Sequence, residues 1–377
     1  MEYINLKAQY NFLKDDIDAN IQKVLDSAQF IMGDMVKEFE QELAQYVGVE
    51  HAISCSDGTA ALQLIYMAYG IGKGDAVFCP DMTFIASIEP AVMLGAAPVF
   101  CDIDAKTYNI DAESLEIQIK AVIHEGKLTP KAIVAVDFLG NPADFSKLRV
   151  LADRYGLLLI EDAAQGMSAG ISGKRCGSFG DIAVTSFFPS KPLGCYGDGG
   201  AVFTNDAHIA EVIQSLRVHG KGEDKYHNIR IGMNSRLDNI QAGILLAKLK
   251  ELPNEIEKRQ KIAQLYNNLL CDSVIVPYTE ENHISAYAQY VVCAEDAIAR
   301  EQVRTALSAK QIPTILYYPT PMHMLPVFAE TNQYGMQFPN AVSYSESSFG
   351  IPFSPYITQN EQKNVAKVIQ SFYKAKR

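Results

Sequence analysis

Seven short, almost continuously apolar runs recur through the first 205 residues of this 377-residue chain. They lie at His51–Cys55, Ala76–Pro80, Pro98–Asp102, Ala132–Asp137, Leu157–Asp162, Ile182–Phe187 and Ala201–Asn205. Each is too short for a helix and too uniformly apolar for a half-exposed strand, so most read as strands buried on both faces. Helical patterns separate them at Thr59–Tyr69, Ile85–Leu94, Ala112–His124 and Asp144–Tyr155. Strand and helix in alternation imply a mainly parallel sheet with helices on both sides, an α/β fold. In such sheets ligands bind beyond the carboxyl ends of the strands, so chemistry is expected there.

After Asn205 the pattern changes to long helical stretches at 206–218 and 237–270, the second interrupted at Pro253. Beyond residue 271 comes a smaller α/β unit, with strands near Ala286–Cys293 and Pro313–Tyr318 and a final helix from Gln359 to Lys374. This predicts a large domain over 1–270 and a small C-terminal domain over 271–377. Near the start, an amphipathic helix at Asp34–Tyr46, capped by Asp34, is expected to pack back on the small unit.

Charge and cysteine usage narrow the function. A formal net charge of −11 argues against nucleic acid and anionic lipid as partners, because both need a basic footprint. No apolar run approaches the roughly 18 to 20 residues of a membrane span, and the N-terminus lacks a signal-peptide layout. The chain therefore reads as cytoplasmic. The seven cysteines are odd in number and form no C-x-x-C pair, so they read as free buried thiols and not as disulfides or a metal site. One stretch runs against the acidic balance: between 217 and 236 stand Arg217, Lys221, Lys225, Arg230 and Arg236 against Glu223 and Asp224. It is either a solvated loop or an anion site for phosphate groups, the latter favoured by Arg230, Arg236 and the turn at Gly232.

Two strand ends carry the strongest chemical signal. Lys191 follows the run ending at Phe187 and precedes a glycine-rich loop, Gly194 to Gly200, while Asp162 closes the run Leu157–Asp162. A lysine amine that can reach a cofactor aldehyde and a carboxylate that can meet a pyridine nitrogen are what pyridoxal-phosphate chemistry requires. Desolvation over the core would lower the amine pKa and make it nucleophilic. The bland alternatives are a surface lysine and a helix-capping aspartate. Ser56-Asp57-Gly58-Thr59 opens a helix directly after a strand, so its N–H groups and the Thr59 hydroxyl can face an anion, with Ser186 as a second hydroxyl. Phe84 could stack on an aromatic ring, and Gln165 lies one helical turn beyond Asp162, within reach of a ring oxygen. A dinucleotide site fits less well: the glycines after Lys191 have the wrong spacing and precede a strand.

Together these blocks resemble the DegT/DnrJ/EryC1/StrS family of nucleotide-sugar aminotransferases. The resemblance rests on Ser56–Leu62, Glu161–Gln165, Ser186–Ala201 and Gly232–Asp238. It implies the aspartate aminotransferase fold, with a mainly parallel seven-stranded sheet and a smaller C-terminal α/β domain. It also implies pyridoxal 5'-phosphate as cofactor, with pyridoxamine 5'-phosphate as its aminated form. By position, Lys191 would be the lysine that joins the cofactor and shuttles the proton. Asp162 would hold the pyridine nitrogen, Gln165 the ring hydroxyl and Phe84 the ring face. Gly58, Thr59 and Ser186 would bind the phosphate, helped by Asn234 from a partner subunit, which implies a homodimer with shared sites. Arg236, Tyr317 and Tyr318 would face the sugar nucleotide, with Arg230 and its basic neighbours near the diphosphate.

The implied reaction passes an amino group from L-glutamate, leaving 2-oxoglutarate, to a UDP-linked 2-acetamido keto-sugar of bacterial surface polysaccharide synthesis. A deoxygenating branch of the family has histidine where this chain has Lys191, which disfavours dehydration. Relatives with histidine before Tyr-Pro act on a 3-keto uronate. Here Tyr317 stands at that place, a poorer partner for a carboxylate, and the expectation leans to C4 of the 4-keto-6-deoxy sugar over C3 of the uronate. A non-catalytic ligand-binding module on the same fold would be expected to have lost Lys191 or Asp162, and both are present.

Overall fold

The computed structural model describes residues 1–224 and 226–376. The apolar runs become strands: His51–Cys55 (β1), Asp75–Pro80 (β2), Ala97–Cys101 (β3), Thr129–Val136 (β4) and Leu158–Asp162 (β5). A small hairpin, Gly170–Ile171 (β6) and Lys174–Arg175 (β7), precedes Ile182–Ser186 (β8) and Gly200–Thr204 (β9). The seven long strands form one sheet in the order β1-β9-β8-β5-β4-β2-β3. Only β9 runs against the others, pairing antiparallel with both β1 and β8, whereas β8, β5, β4, β2 and β3 pair in parallel. The carboxyl ends of six strands therefore open on one edge. Asp162 ends β5 near mid-sheet, level with Val136 of β4 and Val184 of β8.

Apolar side chains on both faces of the sheet are buried, as the continuous runs require. Ile53, Val77, Val134 and Ile160 pack with Tyr66 and Phe100 in one cluster, while Phe39, Phe187, Phe203 and Leu245 form another. Helix Asn239–Leu270 ties the molecule together, at 32 residues about 48 Å long. Its first half joins the Phe39 cluster. Its second half, through Ile262, Tyr266 and Leu270, joins a separate cluster around Tyr290, Phe349 and Phe353. Among the described residues no helix is long and apolar enough to cross a membrane, and all seven cysteines are free, six of them buried.

Several local expectations give way to tertiary packing. Residues 313–318 do not form a strand: His283–Ile284 (β10) pairs with β6, and Tyr290–Cys293 (β11) takes Ser348–Ile351 (β12) as its antiparallel partner. Ile315 contributes only an isolated bridge to Gly350. Pro313 and Pro319 bracket that stretch and remove ladder donors, whereas Phe349 and Ile351 of β12 are fully buried. The stretch 85–94 splits into a 3-10 turn, Ile85–Ser87, and a five-residue helix, Glu89–Met93, broken at Ile88 before Pro90. Pro253, in contrast, does not interrupt its helix. Leu252 and Ile256 on either side are buried, and their packing offsets the lost hydrogen bond.

The helix expected at 34–46 spans Asp34–Val47, but Asp34 is its first helical residue and does not cap it. Gly33 occupies the cap position, and the Val36 N–H is met from outside by Asn239 Oδ1 at 3.1 Å. This helix packs on the long helix and β1 instead of residues 271–377, because Val36, Phe39, Leu43 and Val47 complete the Phe187 and Phe203 cluster. Contact with residues 271–377 comes instead from the first helix, Leu6–Ser27, and the residues before it. The Phe12 and Tyr356 ring centroids lie 6.1 Å apart, and the Phe353 N–H donates to the Tyr3 carbonyl.

Candidate active site

The open edge of the sheet holds a cavity of about 510 Å³ whose wall includes Asp162, Lys191, Gly58, Thr59, Ser186 and Phe84. Strand β5 delivers Asp162, and β8 delivers Ser186 and then the loop with Lys191. Asp162 is only 4% exposed. Its Oδ2 accepts from the Ser87 hydroxyl at 2.7 Å and its Oδ1 from the Ala164 N–H at 3.1 Å. Burial raises its pKa above the ordinary aspartate value, and those two donors and the Lys191 charge restrain the rise. Burial likewise lowers the Lys191 amine below an ordinary lysine, with Asp162 opposing. A carboxylate and a readily neutral amine thus share one partly dry cavity, a setting in which protons can be held and moved.

Helix Gly58–Ala68 starts at the cavity because Asp57 caps it, accepting the Ala60 N–H at 2.8 Å. The Ala61 N–H makes the first backbone bond, to Asp57, which leaves the Gly58 and Thr59 N–H groups outside the helix's own bonding. A side chain at 58 would bring a Cβ within 2.9 Å of the Ser186 Cβ, so the close approach of helix start and β8 needs glycine. The result is a small cradle of N–H and hydroxyl donors suited to an anion.

The opposite wall comes from distant chain segments. Phe84, 53% exposed, has its ring centroid 5.7 Å from that of Tyr318, and Tyr317 and Tyr318 both line the cavity. Gln165 Oε1 accepts from the Leu139 N–H at 2.6 Å while its Nε2 donates to the Tyr318 hydroxyl at 3.3 Å.

Three expected residues lie outside this wall. Arg230 and Asn234 are exposed and Arg236 is half-buried. Arg230 donates to the Ser215 hydroxyl at 3.2 Å. Ser235, between the other two, meets the Ser56 hydroxyl at 3.1 Å, which sets this segment against the start of the cradle. Arg217 is withdrawn from any anion site: it is buried, paired with Glu40 and bonded to the Ser54 carbonyl. Lys225 lies outside the described residues.

Residues 11–370 match the model of the DegT/DnrJ/EryC1/StrS aminotransferase family. The chain belongs to that family. It is 44% identical over 360 residues to the UDP-2-acetamido-2-deoxy-3-oxo-D-glucuronate aminotransferase of Pseudomonas aeruginosa, covering 95% of this chain and 96% of the relative. Its fold matches a DegT DnrJ EryC1 StrS aminotransferase from Brucella abortus with a TM-score of 0.97 at 43% identity, over 99% of each chain. It also matches NtdA from Bacillus subtilis with bound cofactor PMP, with a TM-score of 0.87 at 27% identity, over 97% of this chain and 82% of that one.

Some contributors to the site of this aminotransferase carry no sequence signature. Ser87 sits in a stretch that reads as ordinary helix, yet it bonds Asp162 and lies 3.0 Å from the Thr83 hydroxyl. Because Ser87 donates to Asp162, Thr83 donates to Ser87. Gln289 and Asp198 also line the cavity. Asp81 has no exposed surface and accepts from the His323 N–H at 2.8 Å, with His323 Nδ1 2.6 Å from its other oxygen. Burial raises Asp81 to about 6 against the restraining contacts of His323. This pair pins the segment after Tyr318 to the loop that carries Thr83 and Phe84.

Proposed function

We propose that the chain transfers the amino group of L-glutamate, by way of pyridoxal phosphate, to the keto carbon of a UDP-linked 2-acetamido sugar. The observation that carries this reading is the shared cavity of Asp162, Lys191 and the Gly58–Thr59–Ser186 cradle. The donor set fits the cofactor: a buried carboxylate with neutral hydrogen-bond donors suits a protonated pyridine nitrogen, and the cradle suits a phosphate. Pyridoxal phosphate supplies an aldehyde that takes up the amino group and a ring that draws off negative charge at the reacting carbon.

The side chains do the rest. Asp162 would keep the ring nitrogen protonated, Phe84 would cover one ring face, and Gln165 would meet the ring hydroxyl. Lys191, with its amine driven toward the neutral form, would be the group that holds the cofactor and the base that moves the proton at the amino-acid α-carbon. Asn234, Arg236 and Arg230 complete the phosphate and sugar-nucleotide contacts from a second copy of the chain, with Tyr317 and Tyr318 of the small domain as the opposite wall. Exposed apolar side chains near that segment support such an assembly: Phe30 and Ile31, which bond at Asn239 and Asp238, and Ile231 beside Arg230.

The name of the Pseudomonas relative favours C3 of the 3-keto glucuronate as the aminated position. A second reading, C4 of the 4-keto-6-deoxy sugar, is favoured by the charge of the cavity. Among the described residues its wall has Lys191 as its one cation, beside Asp57, Asp162 and Asp198, which suits a neutral C6 better than a carboxylate. The deciding experiment offers each UDP keto-sugar separately with glutamate and pyridoxal phosphate and follows the product by mass. Amination of the uronate alone assigns C3 and requires a cation from the second copy. Amination of the 6-deoxy sugar alone assigns C4. If neither is aminated while a wild-type chain binds the cofactor, the substrate class is wrong.

A further inference from the structure

Gln289 lines the same cavity as Asp162, Gln165 and Tyr318, yet it is only 4% exposed and its side-chain oxygen has no hydrogen-bond partner. A buried amide left unpaired is destabilising, and proteins retain one where something else completes it. Among the described residues two other buried amides also have an unpaired oxygen, Gln118 and Asn141. Both spend their nitrogen on the backbone, Gln118 on the Phe100 carbonyl at 2.8 Å and Asn141 on the Tyr278 carbonyl at 3.2 Å. Asn141 and Gln289 both border a second cavity of about 20 Å³, but neither Gln118 nor Asn141 lines the larger one. Gln289 does, and it makes no such bond.

The backbone around Gln289 is held firmly, in contrast with its side chain. The Ala286 N–H donates to the Gly140 carbonyl at 2.7 Å and the Ala288 N–H to the Leu139 carbonyl at 2.9 Å. Arg259 Nη1 grips the Tyr287 carbonyl at 2.9 Å, and Tyr290 opens the pairing of β11 with β12. Leu139 is in turn bonded to Gln165. Gly140 has φ +88°, and a Cβ there would lie 2.9 Å from both the Ala288 nitrogen and the Gln165 carbonyl oxygen. Only glycine lets the two segments meet this closely. A continuous set of contacts therefore fixes the position of the Gln289 backbone relative to Gln165 and leaves its amide without an intramolecular partner.

We propose that the Gln289 amide is a further ligand-contacting group of this site, bonding to a hydroxyl of the molecule bound in the cavity. The proposal rests on the function proposed above, where two hydroxyl sources exist, the ring of the cofactor and the sugar of the nucleotide substrate. Gln289 carries no sequence signature, because it stands in a strand-like run with no motif around it.

The test compares wild type with Gln289→Leu, which keeps the bulk and removes the polar group. Three quantities are measured: thermal stability of the cofactor-free chain, the dissociation constant of pyridoxal phosphate by absorbance titration, and KM for the keto-sugar. The expected result is a melting temperature of the cofactor-free chain within about 2 °C of wild type or above it, since no intramolecular bond is lost. Either pyridoxal phosphate binding or the sugar KM should weaken about tenfold. Weakened cofactor binding identifies the ring hydroxyl, and a raised KM with unchanged cofactor binding identifies the sugar. If both stay at wild-type values, or if the cofactor-free variant melts well below wild type, the proposal is overturned. Failure of the wild-type chain itself to bind pyridoxal phosphate would instead remove the function on which the proposal rests.

Discussion

The Ser87 hydroxyl donates to Asp162 Oδ2 across 2.7 Å, and the Thr83 hydroxyl, 3.0 Å from Ser87, stands behind it. This relay links the loop after β2 to the carboxylate at the end of β5. It also limits how far burial raises the Asp162 carboxyl. Ser87→Ala should therefore raise that carboxyl further, so that the ionised form appears only at higher pH. We expect pyridoxal phosphate binding to weaken by about tenfold, in line with the ~1–3 kcal/mol cost of an unmade buried bond. Its acid limb should move to higher pH. Cofactor titration from pH 5 to 8 in wild type and variant checks both effects, and coincident curves would sink the idea.

Lys191 is the cavity's one cation among the described residues, and burial favours its neutral form. Lys191→Ala should lower turnover with glutamate and keto-sugar by at least about 10²–10⁴-fold, the range for a positioned proton-transfer group alone. Lys191→Arg should fail similarly, because a guanidinium remains protonated. Single-turnover absorbance with glutamate measures the first half of the reaction directly. Normal turnover in Lys191→Ala would refute the mechanism.

Asp81 is held near His323 with its carboxyl raised to about 6. A folded-state value above the unfolded one means that the folded chain binds the proton more tightly. The associated stability is complete below about pH 4 and is lost as pH rises through about 6. The window is worth about 3 kcal/mol. Asp81→Asn should remove this slope, so urea unfolding of wild type and variant between pH 4 and 7 should diverge by an amount that changes with pH. A pH-independent difference would show that Asp81 does not titrate there.

Arg217 and Glu40 form an ion pair with side-chain exposures of 6% and 17%. Removing one partner leaves an uncompensated buried charge, so Arg217→Met should destabilise by about 3–5 kcal/mol. Arg217→Met combined with Glu40→Gln should recover part of that loss. Chemical denaturation of the single and double variants checks the coupling. If Arg217→Met unfolds at the wild-type midpoint, the pair carries no stability and Arg217 is free for another role.

The division between what could be read and what could not follows the range of the interactions. Seven strands, the strand ends at Asp162 and Ser186, the Gly58–Thr59 helix start and the Lys191 loop were legible because each depends on a few neighbouring residues. Hydrophobic periodicity, glycine backbone freedom and helix N-terminal geometry are local properties. The Asp34 cap and the strand at 313–318 were misread because a distant partner decided them: Asn239 supplies the cap, and Ser348–Ile351 takes the place beside Tyr290–Cys293. The same holds within the site. Ser87 is 75 residues from Asp162, and Arg217 is 177 residues from Glu40. The sequence by itself determined the sheet, the position of the lysine and carboxylate at its open edge, and through them the class of chemistry. Only the tertiary structure decided which hydroxyl supports Asp162, which arginine is consumed in the core, and which amide on the cavity wall is left unpaired. Such pairings depend on where remote segments meet when apolar surface is buried, and no local pattern encodes that meeting.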